Sequence, residues 1–283
     1  MHLTFEALPK RRFHTMKDKV VIITGGSSGI GKALAQEFGS KGSKIIITGR
    51  RLEPLQEVAS LLKQSGIETM LIQADVSKED DNKKMAEEVL KRYGKIDILI
   101  NNAGVSMRAL FNDVDLEVIK KVMDINFYGV LYATKYCLPS IIENKGSVIG
   151  ISSIAGYRGL PGRAGYSASK FALQGFLEVL RTEMIPTGVH VLTASPGFTA
   201  SNIRKESLTK NGSSQGESPR DEGKMMTAEE CAKHIYNATK KRKKILILTT
   251  LGIFTVWMNK LFPSLMDKIV FKEMAKEANA PIK

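Results

Sequence analysis

The chain reads as an α/β protein, a single domain on a seven-stranded, mostly parallel sheet with helices on both faces. Three observations predict this. Short apolar, β-branched runs near residues 20–24, 44–48, 70–74, 96–100, 147–152, 189–194 and 245–249 alternate with stretches of helical spacing. That is the pattern of buried strands joined by crossover helices. The first run enters a helix through a glycine-rich turn, and 283 residues, 43% of them hydrophobic, suffice for one large core but not for a second full domain.

The first element is Val20-Val21-Ile22-Ile23-Thr24, followed by Gly25-Gly26-Ser27-Ser28-Gly29-Ile30-Gly31. Beyond the turn, Ile30, Leu34 and Phe38 share one helical stripe. Glycine accepts positive φ and lets backbone N–H groups approach an anion at a helix N-terminus, where the macrodipole favours it. Gly25, Ser27, Ser28, Gly29, Ile30 and Gly31 are therefore candidate contacts for the pyrophosphate of a dinucleotide. The second strand, Lys44 to Thr48, runs into Gly49-Arg50-Arg51, and the third, Met70 to Ala74, into Asp75-Val76. The fourth leads to Asn101-Asn102-Ala103-Gly104, and the fifth, Ile149-Gly150-Ile151-Ser152-Ser153, ends on a serine pair.

Next come Tyr166 and Lys170 in Tyr166-Ser167-Ala168-Ser169-Lys170, with Ser153 thirteen residues before the tyrosine. If the segment from Gly165 is helical, positions four apart share a face. An ammonium beside a phenol stabilises the phenolate and lowers its pKa, so Tyr166 can exchange a proton with a substrate oxygen near neutral pH. Taken alone, this spacing fits an ordinary amphipathic helix equally well.

Together, Thr24-Gly25-x3-Gly29-x-Gly31, Asn101-Asn102-Ala103-Gly104 and Tyr166-x3-Lys170 resemble the short-chain dehydrogenase/reductase family over roughly residues 17–250. The resemblance implies a doubly wound Rossmann fold and hydride transfer with a nicotinamide cofactor. It also implies a tetrad of Asn126, Ser153, Tyr166 and Lys170, with Ser152 as the rival to Ser153. Asn126 would position a water that passes protons towards Lys170, and Lys170 would also hold the nicotinamide ribose. By the same resemblance Asp75 and Val76 would meet the adenine, and Asn102, Ala103 and Gly104 would line the cofactor. Pro196, Gly197 and Thr199 of Pro196-Gly197-Phe198-Thr199-Ala200-Ser201 would lie beside the nicotinamide, with Ser201 where a threonine is usual. Residues 202–226, rich in Ser, Gly, Asn, Lys and Glu, stand where the family carries its substrate lid.

A dinucleotide site that selects NAD holds the ribose 2′-hydroxyl with an acidic residue, whereas a nearby arginine accommodates the 2′-phosphate of NADP. Gly49 takes the place of the acid, and Arg50 and Arg51 follow directly. Two cations opening a helix are unfavourable unless a ligand phosphate compensates. NADP(H) is expected over NAD(H).

The net charge of +13 is concentrated at the ends, +3 in residues 1–19 and +7 in residues 240–283. Only Lys240-Lys241-Arg242-Lys243-Lys244 forms a basic run, without any nucleic-acid motif, so no nucleic-acid partner is expected. Cys137 and Cys231 lack metal-ligand or disulfide spacing, which predicts reduced thiols and no metal site. Residues 1–15 read as a flexible tail without a signal peptide, Met16 as a second possible start, and 16–250 as the catalytic domain in a cytoplasmic protein.

The extension 251–283 is apolar and basic. Ile245 to Met258 carries fourteen residues without a charge, too few to span a bilayer and partly needed for the last strand. It would cover the substrate pocket, form an interface of a homodimer or homotetramer, or lie in a membrane surface as peripheral contact. Ser195-Pro196-Gly197-Phe198, the basic run and Phe262-Pro263-Ser264-Leu265-Met266 resemble one branch of the family. That branch, like the similar 3-ketosphinganine reductases, is associated with lipid-like carbonyls at membranes. The expected activity is ketone–alcohol interconversion on a small hydrophobic or lipid-like substrate. A catalytically silent NADPH sensor and a membrane scaffold are the alternatives from other classes.

Overall fold

A computed structural model describes residues 15–282. The expected tail lies outside the described residues, apart from Thr15. Met16 is already buried in the core, and Ser43 Oγ donates to its carbonyl oxygen at 2.8 Å.

The chain alternates strand and helix as the apolar runs dictate. The order is β1 (Val20–Thr24), α1 (Gly29–Ser40), β2 (Lys44–Gly49), α2 (Leu52–Gln64), β3 (Thr69–Gln73), α3 (Glu79–Tyr93) and β4 (Ile98–Asn101). It continues with α4 (Leu116–Met123), α5 (Gly129–Glu143), β5 (Ser147–Ile151), α6 (Ala164–Glu183), β6 (His190–Ser195), α7 (Ala228–Lys240) and β7 (Ile245–Ile247), and closes with α8 (Thr250–Leu261) and α9 (Pro263–Ala275). The sheet order is β3-β2-β1-β4-β5-β6-β7, and every pairing within it is parallel. Alternating side chains of one strand serve opposite cores. Val21 and Ile23 pack with α1, α2 and α7, while Val20 and Ile22 pack with α3, α5 and α6. This is the doubly wound Rossmann architecture. Its strand order reverses between β1 and β4, so the carboxyl ends of those strands open a crevice suited to a ligand.

Three local features depart from a regular pattern. Residues Asp124–Tyr128 form a π-helical turn between α4 and α5, a bulge that recurs at functional sites. The last strand stops at Ile247, short of the expected residue 249, because Thr249 takes φ +68° and caps α8 by accepting from Gly252 N–H at 3.0 Å. The 202–226 segment is pinned despite its loop composition. Leu208 is buried in a small core with Met107, Val114 and Val118, and its backbone bonds to Ser106 and Arg108. Burying that leucine contributes about 1.5–3 kcal/mol to holding the segment down.

Candidate active site

Every residue singled out for cofactor or chemistry, Asn126 excepted, lines one cleft of about 380 Å³ at the carboxyl ends of the strands. One end is the glycine turn. Gly25 has φ +66° and Gly29 φ +50°, conformations that side chains disfavour. A Cβ on Gly31 would stand 2.1 Å from the Gly25 carbonyl oxygen, so only glycine lets the turn close this tightly. Asn102 and Thr24 tie it to the end of β4. Asn102 Nδ2 donates to the carbonyls of Thr24 and Gly25 at 2.9 and 3.1 Å, and Thr24 Oγ1 accepts from the N–H groups of Asn102 and Ala103 at 3.0 and 3.1 Å. The Asn102 carboxamide therefore braces the cradle, an internal role beside the expected lining one. Ser28 caps α1 with extended backbone and no side-chain bond, leaving the helix N-terminus turned to the cleft. These residues fit a bound pyrophosphate.

The part of the cleft beyond the ends of β2 and β3 is lined by Arg50, Arg51, Asp75 and Val76, which differ in their contacts. Arg50 has no acidic partner among the described residues, and its carbonyl oxygen accepts from Gln73 Nε2 at 2.8 Å. Arg51 differs from expectation: its Nη2 lies 2.9 Å from Glu206 Oε1, an exposed ion pair that joins the N-cap of α2 to the 202–226 segment. Such a pair contributes about 0–1 kcal/mol and leaves Arg51 less available to a phosphate. Asp75 Oδ1 accepts from Ser77 N–H and Oγ at 3.0 and 2.7 Å.

At the other end, α6 carries Tyr166 and Lys170 one turn apart, and both line the cleft. Lys170 Nζ stands 5.7 Å from the Tyr166 ring centroid and donates to the Ile151 carbonyl at 2.8 Å. Ser153 follows β5 in extended conformation, half-buried, and caps a single 3₁₀ turn by accepting from Ala155 N–H at 3.1 Å. Its rival Ser152 is buried and spent inward, accepting from Gln174 Nε2 at 3.0 Å. Asn126 lies under the floor within the π-helical turn. Its Oδ1 accepts from Val105 N–H at 2.8 Å, and its Nδ2 donates to the Val105 carbonyl and to Ser169 Oγ, both at 2.9 Å.

The electrostatics differ from the simple ammonium–phenol picture. Burial pushes the Tyr166 phenol above its ordinary value; a hydrogen bond with Ser153 and the positive fields of Arg163 and Arg204 pull it back. Lys170 is itself pulled down to about 8 by burial. Its ammonium meets a backbone carbonyl, so the cations that favour the phenolate are Arg163 and Arg204. The sequence reading missed both. Arg163 sits three residues before Tyr166 at the N-cap of α6; Arg204 lies in the pinned segment and pairs with Glu222 at 3.0 Å. The isolated arginines gave no periodic signal.

The cleft closes with Thr199, whose carbonyl accepts from Arg204 at 2.6 Å, and with α8 and α9, which contribute Leu251, Thr255, Met266, Val270 and Met274. The C-terminal extension therefore covers the pocket. Cys137 and Cys231 are buried thiols pushed up to about 12 by burial, and no group of residues suited to a metal occurs among the described residues.

The fold and cleft define a dinucleotide-dependent oxidoreductase of CH–OH groups. The short chain dehydrogenase profile matches residues 19–212, and the chain belongs to that family. The branch anticipated from its C-terminal motifs is that of member 7B. Dehydrogenase/reductase SDR family member 7B of Rattus norvegicus is 35% identical over 270 residues, covering 93% of this chain and 83% of the relative. The same protein of Danio rerio is 34% identical over 275 residues, 94% and 89% of the two chains. An uncharacterized oxidoreductase of Listeria innocua is 39% identical over 204 residues, 71% of this chain and 82% of that one. Among solved structures, a short chain dehydrogenase/reductase from Burkholderia phymatum in complex with NAD superposes with TM-score 0.79 at 22% identity, covering 89% of this chain and 96% of the other. An alcohol dehydrogenase from Thermococcus sibiricus complexed with 5-hydroxy-NADP gives 0.72 at 24%, covering 81% and 94%. At those identities the two structures speak to the fold alone.

Proposed function

We propose that the chain interconverts a ketone and a secondary alcohol on a hydrophobic, lipid-like substrate, using NADP(H), with Tyr166 as acid and base. The observation that carries this reading is the convergence of Ser153, Tyr166 and Lys170 on one cleft that α8 and α9 line with Leu251, Met266, Val270 and Met274. When bound, the nicotinamide supplies or accepts hydride. Ser153 and Tyr166 hydrogen-bond the substrate oxygen, and Tyr166 gives it a proton in the reductive direction. Positioning contributes much of the rate, and the phenol adds general acid catalysis. Lys170 holds the nicotinamide ribose and, through the neighbouring Asn126, exchanges its proton with solvent. The NADP(H) preference is supported by Gly49 beside an Arg50 without an acidic partner. Segment 202–226 acts as the substrate lid. Its lining of the cleft by Ile203, Arg204 and Glu206 favours that role.

The C-terminal hairpin adds a peripheral membrane contact, supported by Leu251, Phe254, Trp257, Leu261 and Phe262 exposed on α8 and its end. A homo-oligomer is compatible with the same surface. The deciding experiment is an NADPH-oxidation screen over ketosteroids, acyl-dihydroxyacetone phosphate, 3-ketosphinganine and simple aliphatic ketones, run beside Tyr166→Phe. Turnover of at least one ketone that vanishes in the variant supports the assignment. Turnover that persists in the variant rejects it.

A further inference from the structure

One wall of the cleft is backed by an ion cluster built on Glu277, a residue the proposed chemistry does not use; Glu277 and Arg163 line the cleft, and Arg108 and Arg220 stand behind them. Glu277, two residues beyond α9, has only 3% of its side chain exposed. Its carboxylate meets three arginines. Arg220 Nε donates to Oε1 at 2.8 Å, Arg163 Nη2 to Oε2 at 3.2 Å, and Arg108 Nε stands 3.4 Å from Oε2. Arg108 follows β4, Arg163 precedes Tyr166 by three residues, and Arg220 belongs to segment 202–226. One carboxylate thus draws together the loop after β4, the start of α6, that segment and the C-terminus. Arg220 also pairs with Glu273 at 3.2 Å and covers the Phe198 ring at 4.2 Å.

The three guanidiniums face two carboxylates, which leaves one positive charge. Stripped of Glu277, the wall would present a strong anion site next to Tyr166, because several arginines in a partly dry cleft bind carboxylate or phosphate bidentately. Glu277 is tethered to the chain, so it occupies those arginines at high effective concentration against any anion from solution. Around it, Leu160, Met266, Val270 and Met274 make the rest of the wall apolar. Uncharged alkyl groups meet that apolar part of the wall, while an incoming carboxylate finds the arginines already paired and must either displace Glu277 or be left facing it.

We propose that Glu277 is a specificity-determining residue, which occupies the arginines of this wall so that the cleft takes uncharged, apolar carbonyl compounds and rejects anionic ones. This rests on the proposed reduction of hydrophobic carbonyl compounds. Its test is a binding measurement, so that the two can fail separately.

Isothermal titration calorimetry of the full chain, alone and saturated with NADP+, compares 2-undecanone with decanoate in wild type, Glu277→Gln and Arg220→Gln. Wild type should bind the ketone more tightly than the acid. Glu277→Gln should shift the affinity ratio towards decanoate by about tenfold or more, one charge-assisted contact's worth. Arg220→Gln should shift it the other way, and this arm stands even if Glu277→Gln does not fold. An unchanged ratio in the folded variants, equal loss of both ligands, wild type that favours decanoate, or no binding of the ketone to wild type would overturn the proposal. Failure of NADP+ to bind counts against the cofactor reading alone, because the titrations of the bare chain still decide the role of Glu277.

Discussion

Exchanging Gly49 for Asp and Arg50 for Gln should turn the nucleotide preference around. The structure makes the first change sterically free. A Cβ built on Gly49 meets Leu55 Cδ2 and Ser27 Oγ at 3.6 Å, ordinary contact distances, and Gly49 is not among the positive-φ residues. The new carboxylate would sit between β2 and the glycine turn, where it can accept from a ribose 2′-hydroxyl and repel a 2′-phosphate. The second change deletes a guanidinium with no acidic partner among the described residues, so no buried ion pair is broken. Losing one charge-assisted contact costs roughly 1.5–3 kcal/mol, about ten- to a hundredfold in affinity. The added repulsion acts in the same direction. The assay is kcat/KM for NADPH and NADH with one ketone, together with Kd for each nucleotide and a melting curve to show that the variant folds. Wild type that already prefers NADH, or a folded variant with the wild-type ratio, would refute the reasoning.

Tyr166→Phe should abolish turnover and leave NADPH affinity within a few-fold, because the ring remains and the proposed proton donor goes; near-normal kcat would exclude the role. Lys170 gives a pH signature. Its folded pKa of about 8 lies below the ordinary 10.5, so the unfolded chain binds more protons between those values and stability rises with pH across that window. The melting temperature of Lys170→Met minus that of wild type should therefore be largest below pH 8 and shrink towards pH 10; a constant difference would mean that the ammonium is not buried. Anionic liposomes should float the protein at low salt and release it at high salt, with about 1 kcal/mol of attraction per basic residue near the surface. Binding that survives both high salt and carbonate extraction, or no flotation at all, would refute peripheral contact.

Much of the fold was legible because its signals are local. Buried parallel strands must be apolar on both faces, and the glycine turn must be glycine because Gly31 has no room for a methyl group. The Tyr166–Lys170 pairing was legible for the same reason, since α6 alone fixes it. What escaped depends on single long-range contacts. Leu208 pins segment 202–226 through one side chain, which no periodicity announces. Thr249 ends β7 early by taking a left-handed conformation that β-branched residues avoid, held there by the cap it gives α8. The cations that act on Tyr166 come from Arg163 and Arg204, and only the closed cleft brings them near it.

The C-terminal extension shows why composition alone could not choose among pocket cover, interface and membrane surface. Its helices have two faces with different partners. Met266, Val270 and Met274 of α9 turn inward with Leu160 and Met258, while Leu265 and Phe271 of α9 and Phe254 and Trp257 of α8 are exposed. Both faces are apolar, so periodicity averages to a helix that is greasy all round. The charges divide more sharply. Glu273 and Glu277 are drawn onto the arginines of the cleft, and the ion pair of Asp267 with Arg158 ties the middle of α9 to the turn before α6. The acids of the extension are thus all engaged, Glu273 and Glu277 at the pocket and Asp267 with Arg158, and Lys260, Lys268 and Lys272 have no acidic partners among the described residues. Neither α8 nor α9 is long and apolar enough to cross a membrane. The same ion pairs that close the substrate wall therefore set the outer face basic and apolar, so changing Glu277 acts on the pocket first and on any surface contact only through the packing of α9.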